Sequence, residues 1–217
     1  MKLHSYFRSS ASYRVRIALA LKGLPYDYVP VHLVKGEQHS THYTRISSSG
    51  LVPTLMTDDG EALGQSMAII EYLDEAYPNP PLLPSTPSER AHVRALAQVI
   101  ACDIHPLNNL RVLQYLTQQL KVDDEAKNHW YHHWVRLGLQ TIERELEKFP
   151  ATTYCFGETP TMADCFLVPQ IFNAQRFGVS ISDLPRIMAV HEACASLPAF
   201  QNAHPSACPD AVEVVHP

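Results

Sequence analysis

The sequence predicts an α/β domain followed by an all-helical domain, and three observations carry that reading. Short stretches of alternating apolar residues near the N-terminus flank one apolar helical run. Five prolines crowd residues 78–87, where their fixed φ and missing N–H exclude regular structure. Beyond them, apolar positions recur at helical spacing almost to the end of the chain.

Residues 2–7 and 26–32 read as strands, because Tyr, Val and Leu recur among polar neighbours. Between them, from Ser12 to Lys22, Val15, Ile17, Ala18, Leu19 and Leu21 are apolar enough for a largely buried helix that Gly23 ends. A looser stretch runs to Gly50. Val52 to Thr57 then reads as a strand turning at Asp58-Asp59-Gly60 into a second that ends near Gly64. Ser66 caps a helix running to Tyr77. With no G-x-G-x-x-G or Walker motif, this β-α-β, β-β-α order over residues 1–80 suggests a thioredoxin-like ligand domain, not a nucleotide site. A proline-rich linker over 81–87 leads to a helical domain over 88–217. Its helices are expected at 88–120, with a kink at Pro106, and at 123–149, 161–177 and about 186–196. Thr161-Met162-Ala163-Asp164 reads as a capping-box variant with a structural role.

Composition narrows the function. The 217 residues are 46% hydrophobic and 18% charged, and no apolar run approaches a membrane span. The N-terminus lacks a secretory apolar core, so the expected compartment is the cytoplasm. A net charge of −5 with no Lys/Arg run leaves no footprint for nucleic acid, and an acidic ligand has to be held locally. The five cysteines contain no C-x-x-C pair and read as free thiols. His129 and His133 share a helix face, but no third ligand is evident, so an aromatic-rich face is expected and no metal.

The informative segment is Ser5-Tyr6-Phe7-Arg8-Ser9-Ser10-Ala11-Ser12-Tyr13-Arg14-Val15-Arg16-Ile17-Ala18-Leu19, where a strand meets a helix start through three hydroxyls. Helix starts present unpaired N–H groups and partial positive charge, so this turn suits an anion such as a thiolate; serine is also simply a good N-cap.

That string resembles the N-terminal signature of the zeta-class glutathione transferases, the class that includes maleylacetoacetate and maleylpyruvate isomerases. Leu51 to Leu55, Gln65 to Leu73, Pro106 to Leu110, Thr161 to Asp164 and Leu167 to Gln170 resemble the same family in register. The resemblance implies a mixed four-stranded thioredoxin-like domain, an all-helical domain, a homodimer and glutathione as cofactor. It also implies roles. Ser9 and Ser10 stabilise the glutathione thiolate, with Ser10 at the thiol-contacting position. Val52 before a cis Pro53 pairs with the tripeptide backbone, and Gln65 and Ser66 hold the γ-glutamyl carboxylate. His105 falls near the expected kink, in the region that faces glutathione in the family, where it contacts glutathione, helps move a proton or is a satisfied helix histidine.

The reaction so implied turns a cis double bond trans by addition of the glutathione thiolate, bond rotation and elimination, acting on a small dicarboxylate. Arginine forks suit the substrate carboxylates. Arg8 and Arg176 match such residues, Arg111 matches one of the maleylpyruvate branch, and Asn108 falls where relatives place a glutamine near the ligand. Arg14 and Arg16 read as surface or interdomain salt-bridge residues. Ala11 departs from the usual cysteine, so no protein thiol is available as nucleophile there. Maleylacetoacetate isomerisation in tyrosine breakdown leads. Maleylpyruvate isomerisation, a general transferase for halogenated acids and a non-catalytic interaction protein are the alternatives.

Overall fold

The computed structural model of the chain describes residues 1–213. They form two compact units: Met1–Leu82 together with the described residues from Ala195 on, and Leu83–Cys194. The second boundary differs from the sequence reading, which assigned everything after the linker to the helical domain. Residues after Ala195 carry side chains that bond to the first unit, as described below.

In the first unit a four-stranded mixed sheet has the order β2-β1-β3-β4. β1 (Lys2–Ser5) runs parallel to β2 (Asp27–Pro30) and antiparallel to β3 (Thr54–Met56), which pairs antiparallel with β4 (Ala62–Gly64). Leu3 lies opposite Leu55 and both are fully buried, so the register puts the apolar face of the central strands into the core. α1 (Ser10–Leu21) and α3 (Ser66–Ala76) pack together, contributing Val15, Ile17, Leu19, Ile69, Ile70 and Leu73 to that core. The buried Lys22 ammonium bonds the Asp74 carboxylate at 2.9 Å and the Tyr77 and Pro80 carbonyls, tying the end of α1 to the end of α3 and the chain beyond it. A short α2 (Thr41–Ile46) occupies part of the stretch that the sequence left irregular.

The helical unit opens at α4 (Pro87–Gln98), where Thr86 and Glu89 form a capping box. The expected single helix over 88–120 is broken, not kinked. α4 runs into a π-helical turn, Val99–Ile104, closed by the His105 N–H on the Ile100 carbonyl at 2.9 Å. Pro106 follows with no N–H to continue the ladder, and α5 (Leu110–Gln118) starts afresh with Asn109 capping the Arg111 amide. α6 (Asp124–Glu147) passes so close to the π turn that a Cβ on Gly138 would lie 2.2 Å from Ile104 Cγ1. α7 (Met162–Arg176) and α8 (Pro185–Ala195) complete the unit, and α9 (Pro198–Ala203) belongs to the first.

Candidate active site

In the first unit the strand-to-helix turn is tight. The Ser9 N–H bonds the Tyr6 carbonyl at 2.9 Å, and Ser9 Oγ accepts the Ser12 amide at 3.2 Å, making Ser9 the N-cap of α1. Ser10 is the first helical residue and is buried. No acidic side chain lies in the first turn of α1 itself. Arg8 is half-buried, its guanidinium 5.0 Å from the centre of the Phe7 ring.

A second helix start has the same character. Gln65 precedes α3 with φ 66° and ψ 115°, a backbone costing about 1 kcal/mol or more for a non-glycine residue, and its side chain makes no cap hydrogen bond. The first turn of α3 carries no acid either, so its leading amides are available to an anion. Arg14, one helical turn beyond Ser10, bonds Ser66 Oγ at 3.1 Å through a buried guanidinium and links the starts of the two helices. The Val52–Pro53 bond is cis. Strand pairing of β3 begins only at Thr54, so Val52 lies beyond the ladder, while its side chain is buried in one cluster with Tyr6, Phe7 and Tyr43. The Tyr43 hydroxyl bonds the Leu51 carbonyl at 2.7 Å and braces that loop.

In the helical unit the broken segment and α7 meet on α6. Asn108 Nδ2 donates to the Tyr131 carbonyl at 3.4 Å, and the Tyr131 ring stacks on Phe177 at 4.0 Å. The Arg176 guanidinium sits 4.8 Å from the centre of that Phe177 ring. Burial pushes the Tyr131 phenol up, with the Arg176 charge opposing it. His132, the next residue on α6, meets the Phe177 carbonyl through Nε2 at 2.7 Å. Arg176 is therefore an exposed cation on a fixed aromatic base. Arg111 is exposed in the first turn of α5, and His105 Nε2 lies 3.4 Å from Asn109 Nδ2. Asn108 is braced on α6 through Nδ2, while its buried Oδ1 has no hydrogen-bond partner among the described residues.

The reading of Arg14 and Arg16 as surface residues is corrected: both are almost fully buried, at 2% and 1% exposure. Every neighbour from Val15 to Leu19 is buried too, so α1 has no solvent face on which to place them. That arrangement was available in the sequence as arginines within an otherwise apolar helix. Phe177 and Tyr131 went unremarked because nothing in their spacing announces a partner across two helices.

Comparison with known proteins agrees with this geometry. Residues 3–81 match the glutathione S-transferase N-terminal domain family and residues 135–194 the C-terminal domain family. The chain is 50% identical to a probable maleylacetoacetate isomerase of Vibrio cholerae over 96% of this chain and 97% of that one. It superposes with TM-score 0.94 and 46% identity on a holo maleyl pyruvate isomerase described as a bacterial zeta-class glutathione S-transferase, covering 97% of this chain and 99% of the other. A maleylacetoacetate isomerase of Methylobacterium extorquens AM1, solved with bound malonate and glutathione, superposes with TM-score 0.93 at 37% identity, covering 96% and 98%. With both domain families matched in order, and with full-length relatives named as isomerases of this class, the chain belongs to the zeta class of the glutathione S-transferases.

Proposed function

We propose that this enzyme is a glutathione-dependent cis–trans isomerase that converts maleylacetoacetate to fumarylacetoacetate in tyrosine and homogentisate breakdown, acting as a cytoplasmic homodimer. The observation that carries the reading is the pair of acid-free helix starts joined by Arg14 and Ser66. Glutathione is an anionic tripeptide, and these are the groups that suit it: Ser10 and the α1 start for a thiolate, the α3 start with Gln65 and Ser66 for a carboxylate, and Val52 before the cis Pro53 for its backbone. When bound, glutathione supplies a sulfur nucleophile that adds reversibly to the activated double bond, leaving a single bond free to rotate.

The chain's own residues do the rest. Ser10, buried at the positive end of α1, donates its hydroxyl to the thiolate and favours the charged form. Ser9 holds that helix start in register through its cap on Ser12. Arg176, held on Phe177, presents its fork to a substrate carboxylate, and Arg8 and Arg111 supply further cations. His105 is assigned to glutathione contact or proton transfer, and Asn108, braced on α6 through Nδ2, to substrate binding.

A second reading, maleylpyruvate isomerisation, is favoured by Arg111, whose exposed charge suits a shorter substrate with closer carboxylates. The two are ranked by kcat/KM with each maleyl compound under saturating glutathione. A higher value for maleylacetoacetate supports the first reading, a higher value for maleylpyruvate the second, and conversion of neither contradicts both.

A further inference from the structure

The last described residues of the chain hold the serine turn from behind. Asp210, in a 3₁₀ turn spanning Pro209–Glu213, is buried, and its carboxylate accepts the Phe7 N–H at 3.1 Å and the Tyr28 hydroxyl at 2.7 Å. The Phe7 carbonyl accepts Arg16 Nη2 at 3.2 Å. Arg16 also donates from Nη1 to Ser5 Oγ at 3.2 Å and from Nε to the Ala203 carbonyl at 3.0 Å, at the end of α9. Both backbone groups of Phe7, two residues before the Ser9 cap, are thus fixed by charged side chains, one from the following helix and one from the far end of the chain. Cys208 and Ala211 pack into the apolar cluster of Tyr6, Phe7 and Val52, so the same segment supports both loops assigned to glutathione.

A carboxylate and a guanidinium buried against one peptide are costly to desolvate unless their bonds are met, and here they are met by the backbone leading into the turn. We infer that Asp210 and Arg16 are positioning residues for the glutathione site: they fix Phe7, and through it the angle at which Ser9, Ser10 and the start of α1 face a bound thiol. This inference rests on the reading that the serine turn ionises that thiol. Neither residue touches the reacting sulfur in this account.

The test is a pH titration of the ultraviolet absorbance of the glutathione thiolate in its complex with the full chain, with no second substrate present. Asp210→Ala, shown by thermal unfolding to be folded, is expected to raise the thiol midpoint by about one pH unit. Asp210→Asn can keep both bonds, its Oδ1 accepting the Phe7 N–H and its Nδ2 donating to the Tyr28 hydroxyl, so it should titrate close to wild type. Asp210→Ala titrating with the wild type overturns the inference. So does Asp210→Asn titrating no closer to wild type than Asp210→Ala; if Asp210→Ala does not fold, Arg16→Lys, which cannot bond Ser5, Phe7 and Ala203 together, takes its place, and a wild-type midpoint there overturns the inference. A wild-type complex whose thiol titrates as free glutathione does would instead overturn the reading of the serine turn itself.

Discussion

In the reaction proposed above, Ser10 and Arg176 divide the work by charge. Ser10 stabilises an anion on the cofactor, so Ser10→Ala should shift the acidic limb of the kcat/KM profile upward by about one pH unit, at little cost to stability. An unchanged profile and rate would remove Ser10 from the mechanism. Arg176 recognises an anion on the substrate. Its replacement by alanine is expected to raise the substrate KM about tenfold to a hundredfold, the worth of a charge-assisted hydrogen bond, with glutathione affinity unchanged. Equal losses of both affinities would contradict that division. The serine turn stands out in the sequence because helix-start serines suit an anion, whereas the roles of Ser10 and Arg176 come from the family resemblance. Arg14 and Arg16 do not read the same way: arginine is expected at the surface, and only the apolar company of Val15, Ile17 and Leu19 hints that both are buried.

At the scale of elements, local signals were legible where they end a helix. Thr161 and Asp164 behave as the capping pair expected: the fully buried Asp164 carboxylate takes the Thr161 N–H at 2.7 Å and hydroxyl at 2.8 Å, and also the Cys155 N–H at 2.8 Å. Asp164→Ala should cost about 3 kcal/mol of stability by leaving those donors unmet, read as a fall in the urea midpoint. A loss under 1 kcal/mol would mean that water or a neighbouring group satisfies them. The π-helical turn was not legible. Nothing in Val99–Ile104 distinguishes it from ordinary helix, and its register depends on the close approach of Gly138 to Ile104, a contact between segments far apart in sequence. The short α9 was missed for a related reason: six residues carry too little periodicity to read, and the segment is held by Arg16 on the Ala203 carbonyl.

For the molecule as a whole, the order of elements was legible and the path of the chain's end was not. Helical spacing after the proline-rich segment suggested one uninterrupted domain, whereas the bonds of Asp210 and Cys208 belong to the first unit. Long-range closure of this kind leaves no trace in local periodicity. The chain as a whole also titrates. Burial holds His4, His191 and His204 below the ordinary value of 6.5, aided at His4 by His42 and Lys2 and at His204 by Arg16, while Glu192 opposes it at His191. These rings stay neutral in the fold and take up protons on unfolding, so their contribution is present above pH 6.5 and is lost as pH falls below it. The check is an NMR titration of the rings, each of which should protonate below 6.5; rings that titrate at or above it would contradict their burial.

In the reaction proposed above, glutathione acts catalytically and is returned unchanged. The most direct measurement supplies maleylacetoacetate in large excess over glutathione, follows the trans product, and titrates free thiol at the end. Many product molecules per glutathione, no conversion when glutathione is omitted, and an undiminished thiol count are expected. Thiol consumed in proportion to substrate, or conversion that proceeds without glutathione, would contradict it.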